Sequence, residues 1–385
     1  LASGKLYIAA GREPGHGGWV SGLERKQHER GEPGRGADWN PKGRFQALEI
    51  EWEAQEPRES IEGWQDEEPR PVRTQFFRDD SQSIIATNDS PDVGFEASLN
   101  PYRGCEHGCA YCYARPTHEF LGWSAGLDFE SRILVKMNAA ALLRAELSAK
   151  RWRPQFLSMS GVTDCYQPVE RRLGITRQCL EVLAEFRNPV GVITKNHLVT
   201  RDADLLSDLA QDGAAEVNIS ITTLDPNLAR VLEPRASPPS RRLAAIEELS
   251  RAGVPVRVMT APMIPGLNDH EIPALLDAAA RAGARSAAYV AVRLPLTVGP
   301  IFERWLETHF PDRKAKVMDR IRSMRGGKLN ASAFGERMRG EGIYAETLRS
   351  VFAVAARKMG LDRPLPEPNT KAFRVPGSQM FLFPP

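Results

Sequence analysis

No apolar run in the 385 residues approaches the roughly 18 uncharged residues of a membrane span. The most apolar stretch, Ala287 to Phe302, is interrupted by Arg293, Pro295 and Pro300, so no spanning helix is expected. Charge of one sign is also missing in bulk. The 51 Lys and Arg stand against 49 Asp and Glu, a net charge of +2, so any basic surface has to be local. Cysteine is scarce and odd in number: the chain has 5, three of them crowded between Cys105 and Cys112. That pattern excludes a disulfide scaffold and points to metal or redox chemistry in a reducing compartment. The opening Leu-Ala-Ser-Gly lacks the charged, apolar and small-residue regions of a secretory signal, and a cytoplasmic location is expected. Hydrophobic residues at 42% and charged residues at 26% exclude wholesale disorder, collagen and coiled coil.

What is present falls into three parts. Residues 1–92 are rich in Gly, Pro, Arg, Glu and Gln without a period of 2 or 3.6, which reads as an extended, partly disordered arm. Within it, the segment from Gly34 to Phe45 mixes aromatic anchors with turn residues and is expected to lie down on the folded body. From 93 to 299, short apolar runs alternate with helical periods. Strands are predicted near 95–99, 155–160, 190–194, 216–221, 255–259 and 286–292, and helices over 173–186, 203–211, 241–252 and 271–282. Gly213, Gly253 and Gly283 stand where helices end, each just before a strand. The alternation implies an α/β fold of right-handed parallel βαβ units, six strands forming a partial (β/α)6 TIM-type barrel with its chemistry at the C-terminal strand ends. Residues 300–385 read as a helical, basic extension whose apolar tail, 372–385, packs back.

The decisive segment, Asn-Pro-Tyr-Arg-Gly-Cys105-Glu-His-Gly-Cys109-Ala-Tyr-Cys112-Tyr-Ala-Arg115, follows the first predicted barrel strand. Three thiolates spaced C-x3-C-x2-C can wrap one corner of an iron–sulfur cubane, with Gly104 and Gly108 allowing the tight turn. The fourth iron then has no protein ligand and is open to a small molecule's amino and carboxylate groups. The competing reading is a structural zinc knuckle completed by His107 or His118, although neither spacing makes a familiar zinc pattern.

C-x3-C-x-(aromatic)-C opening an α/β barrel resembles the radical S-adenosylmethionine (SAM) superfamily. The flanking Asn-Pro-Tyr-Arg-Gly-Cys and Tyr-Cys-Tyr-Ala, with a later Thr-Lys strand end, resemble its spore photoproduct lyase-like branch, over roughly residues 93–295. The resemblance implies a [4Fe-4S] cluster on Cys105, Cys109 and Cys112, with SAM on the open iron. It also implies reductive cleavage of SAM to a 5′-deoxyadenosyl radical that abstracts hydrogen from a substrate, with an external electron donor such as flavodoxin or ferredoxin. Tyr111 matches the aromatic near the adenine. Asp164, with Ser160 and Thr163, stands where the superfamily contacts the SAM ammonium, although the usual Gly-Gly-Glu is absent and Asp164 also suits an N-cap. Lys195 resembles the branch's ligand for the SAM carboxylate, Ser220 its next polar contact, and Gly266 lies in the loop near adenine. Where the lyases carry their hydrogen-donating cysteine, this chain has Gly161. Cys165, expected at the barrel mouth, is the alternative donor, and Tyr111 and Tyr113, which match the lyases' tyrosines beside the third cysteine, are retained. Cys179 sits at core spacing in a helix.

A local basic stretch is present in Arg313, Lys314, Lys316, Arg320, Arg322, Arg325 and Lys328, where 313, 316 and 320 share a helical face able to meet phosphates. Two functions are therefore expected to compete. One is a radical SAM enzyme acting on nucleic acid in the manner of a DNA-repair lyase. The other is a non-catalytic nucleic-acid-binding protein stapled by zinc or an iron–sulfur site.

Overall fold

The computed structural model describes residues 34–45, 72–331 and 333–377. The expectations for residues 1–33, 46–71 and 378–385 lie outside the described residues. Ten strands are present among the described residues: β1 (Gln75–Arg78), β2 (Ile85–Thr87), β3 (Ala97–Leu99), β4 (Tyr102–Arg103), β5 (Arg132–Val135), β6 (Leu157–Met159), β7 (Val190–Thr194), β8 (Ala215–Ser220), β9 (Val256–Met263) and β10 (Ser286–Ala291). The predicted runs correspond to β3 and β6 to β10, which lie side by side in the order β10-β9-β8-β7-β6-β3, every neighbouring pair parallel. β2 adds an antiparallel edge against β3, and the sheet stays open.

The sequence dictates this arrangement through burial. β3 and β6 are buried throughout, and Val190, Val192, Val217, Ile219, Val256 and Val258 lie inside, as a parallel sheet covered on both faces requires. The amphipathic crossover helices Ile175–Phe186, Ala203–Gln211, Pro239–Arg251 and Ile272–Arg281 contribute Leu183, Leu206, Ile246 and Leu276 to the same core. The helix predicted over 173–186 is split at Gly174, where φ is +65°. Gly213, at φ +68°, closes its helix with its amide on the Ala210 carbonyl.

Two features were not foreseen. A small second sheet, β1-β5-β4, joins residues from before and after the cysteine cluster, with β1 parallel and β4 antiparallel to β5. The boundary expected at residue 92 therefore falls after two strands, β1 and β2, that pair with the body. The second feature concerns the helices Val298–His309 and Pro311–Ser323, which pack onto the cysteine segment itself. Phe302, Trp305, Leu306 and Ile321 share one buried cluster with Cys109, Ala110 and Tyr111. Beyond the helix Gly342–Lys358, the Phe373 ring lies tilted against Phe186 with centroids 6.1 Å apart, and Arg374 N–H donates to the Phe186 carbonyl. No described helix is long and apolar enough to cross a membrane.

Candidate active site

Cys105, Cys109 and Cys112 lie between β4 and the short 3-10 helix Arg115–Leu121, beyond the C-terminal end of β3. The loop turns on Gly104 and Gly108, whose φ values of +78° and +63° are left-handed and favour glycine. Its backbone is pinned from three sides: Cys105 N–H to the Phe129 carbonyl (2.9 Å), Ala110 N–H to the Leu232 carbonyl (3.1 Å), and Arg235 N–H to the His107 carbonyl (3.3 Å).

The strongest support is a buried guanidinium that sequence reasoning missed. Arg115, with no exposed surface, donates to the carbonyls of Cys109 (3.0 Å), Gly108 (3.3 Å), Ala125 (3.1 Å) and Gly126 (3.0 Å) and pairs with Glu130. Glu130 in turn accepts the amides of Gly36 (3.0 Å) and Ala37 (2.8 Å), so the 34–45 segment does lie on the body. Arg304 with Asp38, and Arg44 with Glu119, tie that segment down further.

All three thiols are free. Burial first, then Asp164 and the other two cysteines, pushes the Cys105 thiol well up. Burial and Glu233 push Cys109 up to about 12 despite Lys195. Thiolates cannot gather here unless a strongly cationic group neutralises them, and a metal cluster is such a group. The donor set fits an iron–sulfur cluster held by three thiolates.

It does not fit a zinc knuckle. Among the described residues no three His, Cys, Asp or Glu side chains converge on a single-ion position. His118 Nε2 bonds the Arg132 carbonyl at 2.9 Å, its ring packed between Trp123 and Phe129. His107 faces Asp164 through Nδ1 (3.3 Å) and Asn196 through Nε2 (3.3 Å).

Around the thiols stands a charged network. Lys195, at the end of β7, places Nζ 5.9 Å from the Tyr111 ring centroid. Burial alone would lower its ammonium, but Cys109 and Glu233 outweigh burial and hold it raised. Tyr111 and Thr222 both donate to Glu233, which also pairs with the buried Arg242. Burial would raise the Glu233 carboxyl; Arg242, Lys195 and the two hydroxyls keep it below its ordinary value. Arg242 further donates to the Ser220 carbonyl (3.0 Å) and the Ser237 carbonyl (2.6 Å). The sequence offered no sign of this Glu233–Arg242 pair, because both fall among ordinary helical charges.

The remaining expected residues divide. Asp164 accepts from Tyr166 N–H (2.9 Å), the Thr194 hydroxyl (2.8 Å) and Lys195 N–H (2.8 Å), with His107 beside it. Burial would raise its carboxyl, but His107 and the donors bring it down to about 2. Those contacts fill its acceptor sites and join the β6 and β7 ends, the capping alternative extended across strands. Thr163 donates to the Tyr102 carbonyl at 3.0 Å. Ser160 accepts the Cys165 amide at 2.7 Å and carries φ +84°, a strained backbone for a residue with a side chain. Gly266, at φ +81°, packs beside Arg320, and its N–H donates to Asp269 at 2.9 Å. Tyr113 is half exposed, with its hydroxyl on the Gly161 carbonyl (2.8 Å) and Arg293 over its ring (4.7 Å).

Two expectations need correction. Cys165 is not at the mouth: it has no exposed surface and sits in the main core with Tyr102 and Cys179, because the turn after β6 carries it inward. The basic stretch is not one free face. Arg325 is buried and donates to the carbonyls of Ala291, Val292, Glu336 and Arg337, while Lys314 lies near Glu303 and Glu307.

Comparison with known proteins now decides the family. The sequence model of the Radical SAM superfamily matches residues 99–279. An uncharacterised protein of Mycobacterium tuberculosis is 35% identical over 299 residues, 76% of this chain and 84% of that one. The chain belongs to the radical SAM superfamily. A second relative, an uncharacterised protein of Methanocaldococcus jannaschii, is 29% identical over 184 residues, 48% of this chain and 66% of that one. Among solved structures, a spore photoproduct lyase complexed with dinucleoside spore photoproduct aligns with TM-score 0.54 at 16% identity, covering 74% of this chain and 79% of that one. That likeness is one of fold. Radical SAM proteins use a [4Fe-4S] cluster and SAM.

Proposed function

We propose that this protein is a radical SAM enzyme that holds its [4Fe-4S] cluster on Cys105, Cys109 and Cys112 and abstracts hydrogen from a nucleic-acid substrate, in the manner of a lyase. The observation that carries the reading is a trio of free thiols, two of them buried and Cys112 half-buried, on a loop clamped by Arg115. We take 93–299 as a partial (β/α)6 barrel around the site, with β1 and β2 of the preceding segment paired onto it and 300–385 as the helical extension that walls it.

When bound, the cluster supplies the electron that cleaves SAM to methionine and the hydrogen-abstracting 5′-deoxyadenosyl radical. This chain's residues do the rest. Lys195 presents an ammonium, kept charged by Glu233, to the SAM carboxylate. Ser220 and the Ser160 hydroxyl add polar contacts, and Thr163 with Asp164 acts by fixing the strand ends they sit on. Tyr111, held by Glu233 and Thr222, and Gly266 flank the adenine. Phe302, Trp305 and Leu306 keep the Cys109 side dry, which a primary radical demands. Tyr113 stands at the open side, beside Gly161. Reduction comes from an external one-electron donor, a flavodoxin or ferredoxin.

The DNA-repair part of the reading rests on fold likeness to a lyase seen with a dinucleoside lesion. Incubating the anaerobically reconstituted enzyme with ultraviolet-damaged DNA in deuterated water tests it. Lesion reversal or deuterium in the product supports a nucleic-acid substrate; SAM cleavage that damaged DNA neither stimulates nor couples to product refutes it. Metal analysis tests the alternative staple: about one tightly held zinc per chain, with no cluster formed on reconstitution, would favour it.

A further inference from the structure

The helix Gly342–Lys358 carries two apolar stripes, and the body of the protein uses only one of them. Ala345, Leu348, Phe352, Ala355 and Ala356 are buried against the helix Ile272–Arg281 and β10. On the opposite side stand Ile343, Thr347, Ser350 and Val354, at spacings of four, three and four. That is the spacing of a seam that receives a second helix. Ile343 is 85% exposed and Val354 68%, and Ile343 is the most exposed large hydrophobic residue among the described ones.

The two polar members do not interrupt the seam. The Thr347 hydroxyl donates to the Ile343 carbonyl of its own helix at 2.8 Å, so its hydrogen-bonding need is already met. Ser350 is small enough to let a second backbone come close. Val351, also exposed, widens the stripe on one side.

Charge says what the second helix is. The N-terminal end of the seam is acidic: Glu336 and Glu341 are both exposed, and Glu341 raises the Glu336 carboxyl. The C-terminal end is basic, with Arg357 and Lys358 exposed and without an ion pair among the described residues. A helix acidic at one end, basic at the other and apolar between is complementary to itself turned end for end. Ile343 and Val354 lie eleven residues apart, which is three turns or about 16 Å. In an antiparallel pair centred between Thr347 and Ser350, Ile343 of each copy meets Val354 of the other, and Arg357 comes level with the other copy's Glu341. The two helix dipoles then run in opposite directions, which favours the pairing further.

We propose that two copies of this chain associate through this helix face, antiparallel across a two-fold axis. The contact is one helix long, about 25 Å, at the small end of specific interfaces. The pairing is therefore weak and concentration-dependent, with a dissociation constant of about 10–100 µM. The proposal does not depend on the catalytic reading.

The test is sedimentation equilibrium of the anaerobically reconstituted full chain from about 1 to about 300 µM. The wild-type mass is expected to rise from 42.7 kDa toward twice that value. Ile343→Asp and Val354→Arg are each expected to hold the monomer mass throughout, with the circular dichroism spectrum and melting temperature of the wild type. An equimolar mixture of the two variants is expected to recover the dimer. In that mixture one contact pairs the introduced carboxylate with the introduced guanidinium, and the other keeps Ile343 against Val354. A wild type that stays monomeric across the range would overturn the proposal and leave the face to residues 378–385 of this chain or to a different protein. A dimer that survives either substitution, or a mixture that stays monomeric, would overturn it as well.

Discussion

Glu130→Gln is the substitution that most directly probes how the cysteine loop is held. Glu130 is fully buried and takes three donors: the Arg115 guanidinium and the amides of Gly36 and Ala37. Glutamine keeps the shape but loses the charge, leaving Arg115 as a buried cation without a counterion, and removing one partner of such a pair costs about 3–5 kcal/mol. Its NH2 also faces a donor: one of the two backbone amides is left without an acceptor, a cost of about 1–3 kcal/mol that overlaps the first. The expected loss is therefore about 3–5 kcal/mol in urea unfolding. It should be accompanied by faster tryptic cleavage after Lys42 and Arg44, because the 34–45 segment loses one of its two amide anchors on residue 130. A variant within about 0.5 kcal/mol of wild type, with cleavage unchanged, would refute the argument that this pair clamps the loop.

Gly36→Ala places a Cβ 1.6 Å from the Gly108 carbonyl oxygen, so the segment cannot seat; cleavage at Lys42 and Arg44 should rise as in Glu130→Gln, while the cooperative unfolding of the sheet stays near wild type. His118 is held neutral by burial, its imidazole brought down to about 4 from the ordinary 6.5. The folded form resists protonation, so its contribution is complete above pH 6.5 and is lost as pH falls toward 4, by about 3 kcal/mol in total. His118→Gln should flatten that part of the stability profile measured by urea unfolding, and an unchanged acid limb would count against it. Cys165→Ala should cost about 1 kcal/mol and leave 5′-deoxyadenosine release within about twofold of wild type; uncoupling of SAM cleavage from product formation would instead make its thiol the hydrogen donor.

What the sequence revealed and what it hid have physical causes. The six parallel strands were readable because Val-Gly-Val-Ile-Thr194 and its counterparts are buried on both faces and are punctuated by glycines such as Gly213. The small sheet was hidden because β4 has two residues and β1 is drawn from a stretch rich in charge and proline, where no period can show. The cysteine loop stood out in the sequence from Cys105, Cys109 and Cys112 alone, since thiols spaced that closely have few uses. Its supports did not: Arg115, Glu130, Glu233 and Arg242 are residue types that normally face water, and nothing local marks them as buried pairs. Cys165 shows the converse error. Its place after Asp164 suggested the mouth, but one turn of backbone at Ser160 sends it into the core.

The central claim is that three thiolates leave a cluster able to cleave SAM. The direct measurement is 5′-deoxyadenosine released by anaerobically reconstituted protein with dithionite and SAM, wild type beside Cys109→Ala. Release by the wild type and none by the variant is the predicted result. Undiminished release by Cys109→Ala, or a fully loaded wild-type cluster that yields no 5′-deoxyadenosine, would contradict it.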